Sequence, residues 1–478
     1  MQKSKYPFFH RCIRILTAAA LTGSMLFQST VISHATENEN ELRLEAQRNM
    51  EIQSNQVTDW PIGPIVSAEA AILMEAETGT ILYAKNIHQQ EYPASTTKIL
   101  TALLASELCE MDQTVTFSHD AVFDTPRESN HIAMNPGQEL TVEQCLNALL
   151  IRSANEVAFA IAEHISGSTN WQDFGDMMNT RAAELGCVDS HFANPNGLPD
   201  ENHYTSAHDL AMIGRAFFAN EMLCKITLTR RLEIPASDKL PQEKLELNKM
   251  QIIPGGEYAY EYLVGCKTGY TQSARSCLVS CAEKNGMKLI CVVLKDESPN
   301  HYQDTISLFE YGFANFEKIK VAQIETKYSI DNTGLFYSGN DIFGSSQPLL
   351  TLNQDDYIIL PNTISFEDTV SDISYDNTNK TQAAVIFYTY EDVPLGSVRV
   401  NYIANQKETY TFNEPPEDAI LEDASDKPVI YVNKNWIIIA LGILFSIIIL
   451  RFLIYIVRKN FVFPVRDGRR RRRRRRRW

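Results

Sequence analysis

Two short apolar hairpin patterns bracket a long stretch of helical periodicity, and this arrangement constrains the fold more than any other feature of the chain. Ala71-Ile72-Leu73-Met74 and Ile81-Leu82-Tyr83 flank Thr78-Gly79, a β-hairpin signature. Residues 277–282 and 287–294 read as strands joined by Asn285-Gly286, a dipeptide that favours a two-residue turn. With two central residues in that turn, Cys281 faces Ile290 and Cys291 faces Ser280. Between the hairpins, Ile99, Leu100, Leu103 and Leu104 form one helical stripe, and Val142, Cys145, Leu146, Leu149 and Leu150 form another. Ile306 to Phe316 suggests a closing helix. Strands at both ends with helices inserted between them predict an α+β domain over residues 66–318 with a largely antiparallel sheet.

The texture changes after that domain. Over residues 319–406 a short apolar run, Ala383 to Tyr388, and an alternating stretch, Val398-Val400-Tyr402, sit among Asn, Asp and Gly turns. No helical pattern interrupts them, which predicts a small all-β domain. Residues 36–65 are polar and acidic and read as a spacer. Residues 407–435 are acidic, contain Pro415-Pro416 and read as a solvated linker.

The two ends carry targeting patterns. Residues 1–35 hold Lys3, Lys5, Arg11 and Arg14 and no acid, then an apolar run from Ile15 to Phe27 and Ser33-His34-Ala35. This is the pattern of a secretory signal cut after Ala35. Residues 436–457 are apolar except for Ser446 and Arg451. As a helix they reach about 33 Å, enough for a bilayer core of roughly 30 Å. Arg458, Lys459, Arg466 and the arginines 469–477 follow in a tail, 458–478, and place it on the cytoplasmic side. The expected arrangement is a single-pass protein of the cell membrane with its folded part on the extracytoplasmic face.

That division sharpens the charge argument. The chain of 478 residues carries a formal charge of −15. With +4 in the first 35 residues and +12 from Arg451 onward, residues 36–450 carry −31. A specific nucleic-acid partner is not expected for so acidic an exterior. The arginine tail reads as solvated chain held near anionic headgroups. Eight cysteines follow Cys12, an even number that invites a disulfide framework. An exterior of this size does not need one, and Cys281 and Cys291 are not opposed, so mostly free, buried thiols are expected.

Three short motifs carry the chemistry. In Pro93-Ala94-Ser95-Thr96-Thr97-Lys98, which opens the first helical stripe, Ser95 and Lys98 lie three apart on one face. A serine hydroxyl becomes a nucleophile when a base takes its proton. A lysine is such a base only when desolvation and positive neighbours lower its pKa from about 10.4. Ser153-Ala154-Asn155 follows the second stripe and places a hydroxyl and an amide where they can reach a cleft. Lys267-Thr268-Gly269-Tyr270 precedes the second hairpin and should lie on an edge strand, its lysine and hydroxyl suited to a substrate carboxylate. Each motif alone is weak: an N-cap serine with a surface lysine, a turn tripeptide and an exposed strand lysine are the favoured explanations of them taken singly. Their order, with Ser153 58 residues after Ser95 and Lys267 114 residues after Ser153, is the signature of penicillin-binding proteins and serine β-lactamases.

The resemblance extends over roughly residues 66–410. Ala70 to Ala76 with Thr78-Gly79, Asn194-Pro195-Asn196-Gly197-Leu198, His203 to Leu210 and Tyr311-Gly312-Phe313 are similar to the low-molecular-weight penicillin-binding proteins of peptidase family S11, the serine D-alanyl-D-alanine carboxypeptidases. That resemblance implies a penicillin-binding/β-lactamase-like catalytic domain followed by a β-domain. It also implies removal of the terminal D-alanine from peptidoglycan pentapeptide, covalent inhibition by β-lactams and no cofactor. Ser95 would be the acyl-enzyme nucleophile, Lys98 its base, Ser153 and Asn155 the rest of the proton network. Lys267 and Thr268 would hold the terminal carboxylate, with Gly269 admitting the ligand backbone. The backbone N–H groups of Ser95 and Tyr270 would face the oxyanion.

The chain departs from the family pattern at Ala154, Glu156 and Arg275, and Asn248-Lys249-Met250 matches its N-x-N element loosely. Arg275 stands where glycine is usual and is expected to narrow the cleft or add a carboxylate contact. A class A β-lactamase is the first alternative, but its deacylating glutamate would fall in Lys244-Leu245-Glu246-Leu247-Asn248, where lysine stands instead. A catalytically silent peptidoglycan-binding protein on the membrane is the second. No metal site is predicted, since His203 and His208 lack a suitable carboxylate partner.

Overall fold

A computed structural model describes residues 39–326, 350–375, 381–402 and Arg451. The expected signal peptide, linker, membrane span and arginine tail lie outside the described residues, Arg451 excepted. Among the described residues no helix is long and apolar enough to cross a membrane.

The first hairpin forms as β1 (Ala70–Glu75) and β2 (Ile81–Lys85), with Gly79 at a positive φ in its turn. The helical insertion follows. It contains α2 (Lys98–Leu108), α3 (His119–Phe123), α4 (Val142–Asn147), α5 (Asn155–Ser166), α6 (Trp171–Glu184), α7 (Ala207–Phe218) and α8 (Glu221–Leu228), preceded in the chain by a helix α1 over residues 39–48. Two small ribbons lie within it, β3 (Thr114–Thr116) with β4 (Glu139–Thr141), and β5 (Arg231–Ile234) with β6 (Lys244–Leu247). The chain then returns through β7 (Leu263–Thr271), β8 (Arg275–Lys284) and β9 (Met287–Asp296) to α9 (Asn300–Asn315). The strands join in one antiparallel sheet of order β2-β1-β9-β8-β7, so β7 is an edge. Asn285 and Gly286 both take positive φ in the β8–β9 turn. That turn fixes the expected register, Cys281 opposite Ile290 and Ser280 opposite Cys291. All eight of these cysteines are free, six of them buried.

Alternation along the strands buries both faces of the sheet. Ile72, Val279, Ile290 and Val292 pack toward the helical insertion, together with Leu100 and Leu103 of α2. Leu73, Leu278, Leu289 and Val293 pack on the opposite side with Phe309 of α9. This second core continues into the β-rich C-terminal region. There β10 (Phe316–Lys320), β11 (Leu350–Leu352), β12 (Tyr357–Pro361), β13 (Val370–Ser374), β14 (Gln382–Tyr390) and β15 (Val393–Tyr402) form a six-stranded sheet.

The β-rich region has a sheet of its own and packs on the catalytic part through a shared core, in which Ile358, Ile386 and Val398 join Leu73 and Leu289. The Tyr357 hydroxyl also donates to Glu75, at 2.9 Å, or to Glu77, at 2.7 Å. Residues 36–65 are no mere spacer, because from residue 39 onward they are folded. Trp60 is buried and its indole N–H donates to the Leu82 carbonyl. The buried Lys85 ammonium donates to the carbonyls of Gln47, Val66 and Ala68 at 2.7, 2.9 and 2.7 Å. A buried ammonium must be hydrogen-bonded, and this polar segment supplies part of its shell.

Candidate active site

The nucleophile motif is a 3₁₀ turn, Ala94–Thr97, that runs straight into α2 at Lys98. In a 3₁₀ turn residues i and i+3 eclipse, which stacks Ser95 on Lys98. Ala94 takes φ +48°, a strained value for a residue with a Cβ. Two glycines press the turn into place. A Cβ on Gly197 would lie 1.8 Å from the Ala94 carbonyl oxygen, and one on Gly269 would lie 2.9 Å from the Ser95 nitrogen. Only glycine permits such approaches, so the β7 edge runs directly against the start of the turn.

The second motif owes its geometry to a helix irregularity that the apolar stripe conceals. Leu149 and Leu150 are buried as expected, but after α4 the chain widens into a π-helical turn, Ala148–Arg152. Single π turns concentrate at functional sites. This one ends at Ser153 with φ +61°, and α5 restarts at Asn155, so hydroxyl and amide project from a break between helices.

The motifs converge. Lys98 Nζ donates to Ser95 Oγ at 3.0 Å, to Asn155 Oδ1 at 2.7 Å and to the Asn196 carbonyl at 2.6 Å. Lys267 Nζ donates to Ser153 Oγ at 3.1 Å and to the Thr268 carbonyl at 2.7 Å. A cleft of about 510 Å³ is lined by Ser95, Ser153, Asn155, Lys267, Thr268, Gly269 and Tyr270 together, so all eight candidate residues except the enclosed Lys98 face one space. Ser95 and Thr268 are half-buried and Tyr270 is exposed at the rim.

Burial sets the electrostatics. Lys98 is fully enclosed, and desolvation, reinforced by the positive charge of Lys267, holds its pKa well below 10.5 against the opposing pull of Glu156. Desolvation also lowers Lys267, to about 8. The Glu156 carboxyl is itself raised by burial and accepts from the Ile132 N–H at 2.7 Å.

Several supporting residues carried no role in the motif reading. The Asn196 carbonyl is the third acceptor for Lys98, and the Thr101 hydroxyl donates to the Pro195 carbonyl at 2.6 Å, so the 194–198 loop is part of the site. His203 fixes that loop: its Nδ1 accepts from Ala193 and Asn194 N–H, which leaves Nε2–H to donate to Thr97 Oγ1 at 2.8 Å. Burial pulls His203 down to about 3, so the ring is neutral and structural. The segment's likeness to the family was the only sequence signal for these contacts.

Arg275 contradicts the expectation placed on it. It occupies φ +54°, and its guanidinium pairs with Glu297, with Nε 2.7 Å from Oε1, rather than lining the cleft. Arg43 of α1 joins the same carboxylate. The left-handed backbone explains why glycine suits this position, and the ion pair holds the arginine outside the cleft. In the segment where a class A β-lactamase would place its deacylating glutamate, Lys244 Nζ donates to the Ala133 carbonyl, and Glu246 is paired with Arg152 at 3.0 Å. Asn248 is a loop brace, donating to the carbonyls of Thr227 and Thr229.

A five-stranded antiparallel sheet with a helical insertion, and a serine beside a buried lysine facing a Lys-Thr-Gly edge strand, define the penicillin-recognising serine acyl transferases. Comparison with known proteins narrows this. The D-alanyl-D-alanine carboxypeptidase family, peptidase family S11, matches residues 56–298. D-alanyl-D-alanine carboxypeptidase DacF of Bacillus subtilis is 33% identical over 258 residues, covering 52% of this chain and 63% of that protein. DacB2 of Mycobacterium tuberculosis is 32% identical over 261 residues, covering 53% of this chain and 84% of that protein. The crystal structure of penicillin binding protein 5 from Haemophilus influenzae superposes with a TM-score of 0.55 over 72% of this chain and 98% of that one, at 23% identity, a likeness of fold. The chain belongs to peptidase family S11.

Proposed function

We propose that this chain is a serine-type D-alanyl-D-alanine carboxypeptidase that removes the terminal D-alanine from the peptidoglycan stem pentapeptide through an acyl-enzyme. The observation that carries the reading is the fully buried Lys98 Nζ, 3.0 Å from Ser95 Oγ and, among the described residues, hydrogen-bonded to no carboxylate. An ammonium so placed loses its proton readily, and a neutral amine is a base. Ser95 Oγ attacks the carbonyl carbon of the penultimate residue, and its proton passes to Lys98. The C–N bond then breaks, the departing D-alanine amine takes a proton back through Lys98 and Ser153, and an ester remains on Ser95. Water attacks that ester as Lys98 takes its proton, the bond from the acyl carbon to Ser95 Oγ breaks, Lys98 returns the proton to Ser95 Oγ, and the shortened peptide leaves with a new carboxylate. With a β-lactam the broken amide stays tethered to the acyl group, so the serine remains blocked.

Lys267 offers its positive charge where the terminal carboxylate would lie, and its lowered pKa gives a pH dependence. A lysine held at about 8 is a cation below that pH and neutral above it. KM for the peptide should therefore rise as the pH passes about 8, while kcat changes less, because a bound carboxylate stabilises the ammonium. Steady-state kinetics from pH 6 to 10 check this, and a KM flat across the range contradicts it.

The function itself is tested by D-alanine release from diacetyl-Lys-D-Ala-D-Ala by the full chain, together with mass mapping of the peptide labelled by penicillin. Release with the label on Ser95 is expected; rapid turnover of penicillin would favour a β-lactamase. Residues 436–457 provide the anchor in this reading, with the catalytic part on the extracytoplasmic face where peptidoglycan lies.

A further inference from the structure

One wall of the cleft is a loop, in which Glu128, Ser129 and Asn130 face the same space as Ser95 and Asn155. Behind this stretch lies a second cavity of about 150 Å³, lined by Phe123, Thr125, His131, Met134 and Glu156 among others, so packing alone does not fix it. The loop is also strained, since Ala133 takes φ +56°. Ile132 and Met134 anchor its far end in the core, and hydrogen bonds hold the rest. The Asn155 N–H donates to the Asn130 carbonyl at 2.8 Å, Arg152 Nη1 to Asn130 Oδ1 at 3.0 Å and Lys244 Nζ to the Ala133 carbonyl at 2.9 Å. Where the chain leaves the core for the cleft, the Ile132 N–H donates to Glu156 Oε1 at 2.7 Å.

Glu156 is only 2% exposed and follows Asn155, whose amide oxygen accepts from Lys98. Charges interact strongly in a poorly solvated interior, so a carboxylate enclosed here is felt by the amine. Glu156 pulls the Lys98 pKa up, while desolvation and Lys267 push it down. The neutral His203 ring is the other group that faces Lys98. The Glu156 carboxyl itself is faced by His131 of the loop, Lys244 of β6 and the Cys145 thiol of α4. Burial raises this carboxyl above its ordinary value, whereas the Ile132 hydrogen bond, His131 and a place in the first turn of α5 favour its charged form.

We propose that Glu156 is a positioning residue for acylation: one buried carboxylate braces the wall of the cleft and places a negative charge near the base. The proposal rests on the acyl-enzyme reading and deepens it. Glu156 does not line the cleft, and it acts through the loop and through Lys98.

The pH profile of acylation by benzylpenicillin, followed in the full chain as adduct formation by intact mass, tests both halves. Glu156→Gln keeps an acceptor for the Ile132 N–H and removes the charge. Its rising limb should move to lower pH by about half a unit or more, a rate gain of about threefold on that limb. Glu156→Ala removes acceptor and charge together. Its limb should move the same way and its plateau should fall about tenfold, the size of one lost hydrogen bond to a charged group, most of which Glu156→Gln recovers. The final adduct stoichiometry reports the folded fraction, and the Glu156→Gln limb decides the question even where Glu156→Ala does not fold. A merely structural carboxylate would lower the plateau and leave both limbs in place. A Glu156→Gln limb at the wild-type pH, or a Glu156→Ala plateau equal to wild type, overturns the proposal. Absence of any adduct in the wild type would strike the acyl-enzyme reading as well, whereas a wild-type adduct with an unmoved Glu156→Gln limb strikes Glu156 alone.

Discussion

Replacing Ser95 by alanine should abolish both D-alanine release and the penicillin adduct while leaving the fold in place. Removing the nucleophile of a serine hydrolase typically lowers kcat by about 10⁴-fold or more, because the remaining groups act only as a unit. The fold has little reason to respond. Ser95 is half-buried, and the hydrogen bond its side chain makes is to Lys98. The turn is held by other means, including the Thr96 hydroxyl donating to the Pro93 carbonyl and the close packing of Gly197 and Gly269. The melting temperature should stay within a few degrees of wild type. Release by Ser95→Ala within tenfold of wild type would remove Ser95 from the chemistry.

Changes at Lys98 separate charge from basicity. Lys98→Arg keeps a cation but cannot give up its proton, so acylation should fall by about 10²–10⁴-fold, the usual contribution of a positioned base. Lys98→Met should fall as far with a different effect on stability. It removes the desolvation cost of an enclosed amine, yet it strands Asn155 Oδ1 and the Asn196 carbonyl, two buried acceptors worth about 1–3 kcal/mol each when unpaired. These opposing effects are of similar size, so Lys98→Met should fold with a melting temperature close to wild type and fail to acylate. Acylation kinetics by intact mass, with thermal melts alongside, measure both. A Lys98→Met protein that acylates at the wild-type rate would assign the base elsewhere.

Much of this site is legible in the residues themselves. The Asn285-Gly286 turn dictates the β8–β9 register down to the facing of Cys281 and Ile290, since only one pairing fits a two-residue loop. Lys267 falls on an edge strand as its position before that hairpin implies. The convergence of Ser95, Ser153 and Lys267 could not be derived from spacing and came through family resemblance. Other features were hidden for physical reasons. An apolar stripe looks the same whether the backbone turns as an α- or a π-helix, so the strained Ser153 left no trace. Residues 39–65 look solvated because only a few scattered apolar side chains, Ile52, Val57 and Trp60, reach the core, and the Gln47 carbonyl serves the buried Lys85 ammonium, so no apolar periodicity marks the segment. The partner that holds Arg275, Glu297, lies 22 residues away across β8 and β9, a contact only the fold creates.

The neutrality of Lys98 is the claim on which the mechanism stands, and the pH dependence of acylation tests it most directly. The pseudo-first-order rate of adduct formation with a β-lactam should rise with pH through one deprotonation lying well below 10.5, and that rise should vanish in Lys98→Arg. A rate that climbs only near 10.5, or a limb that survives unchanged in Lys98→Arg, would show that the amine beside Ser95 remains charged and that another group takes the proton.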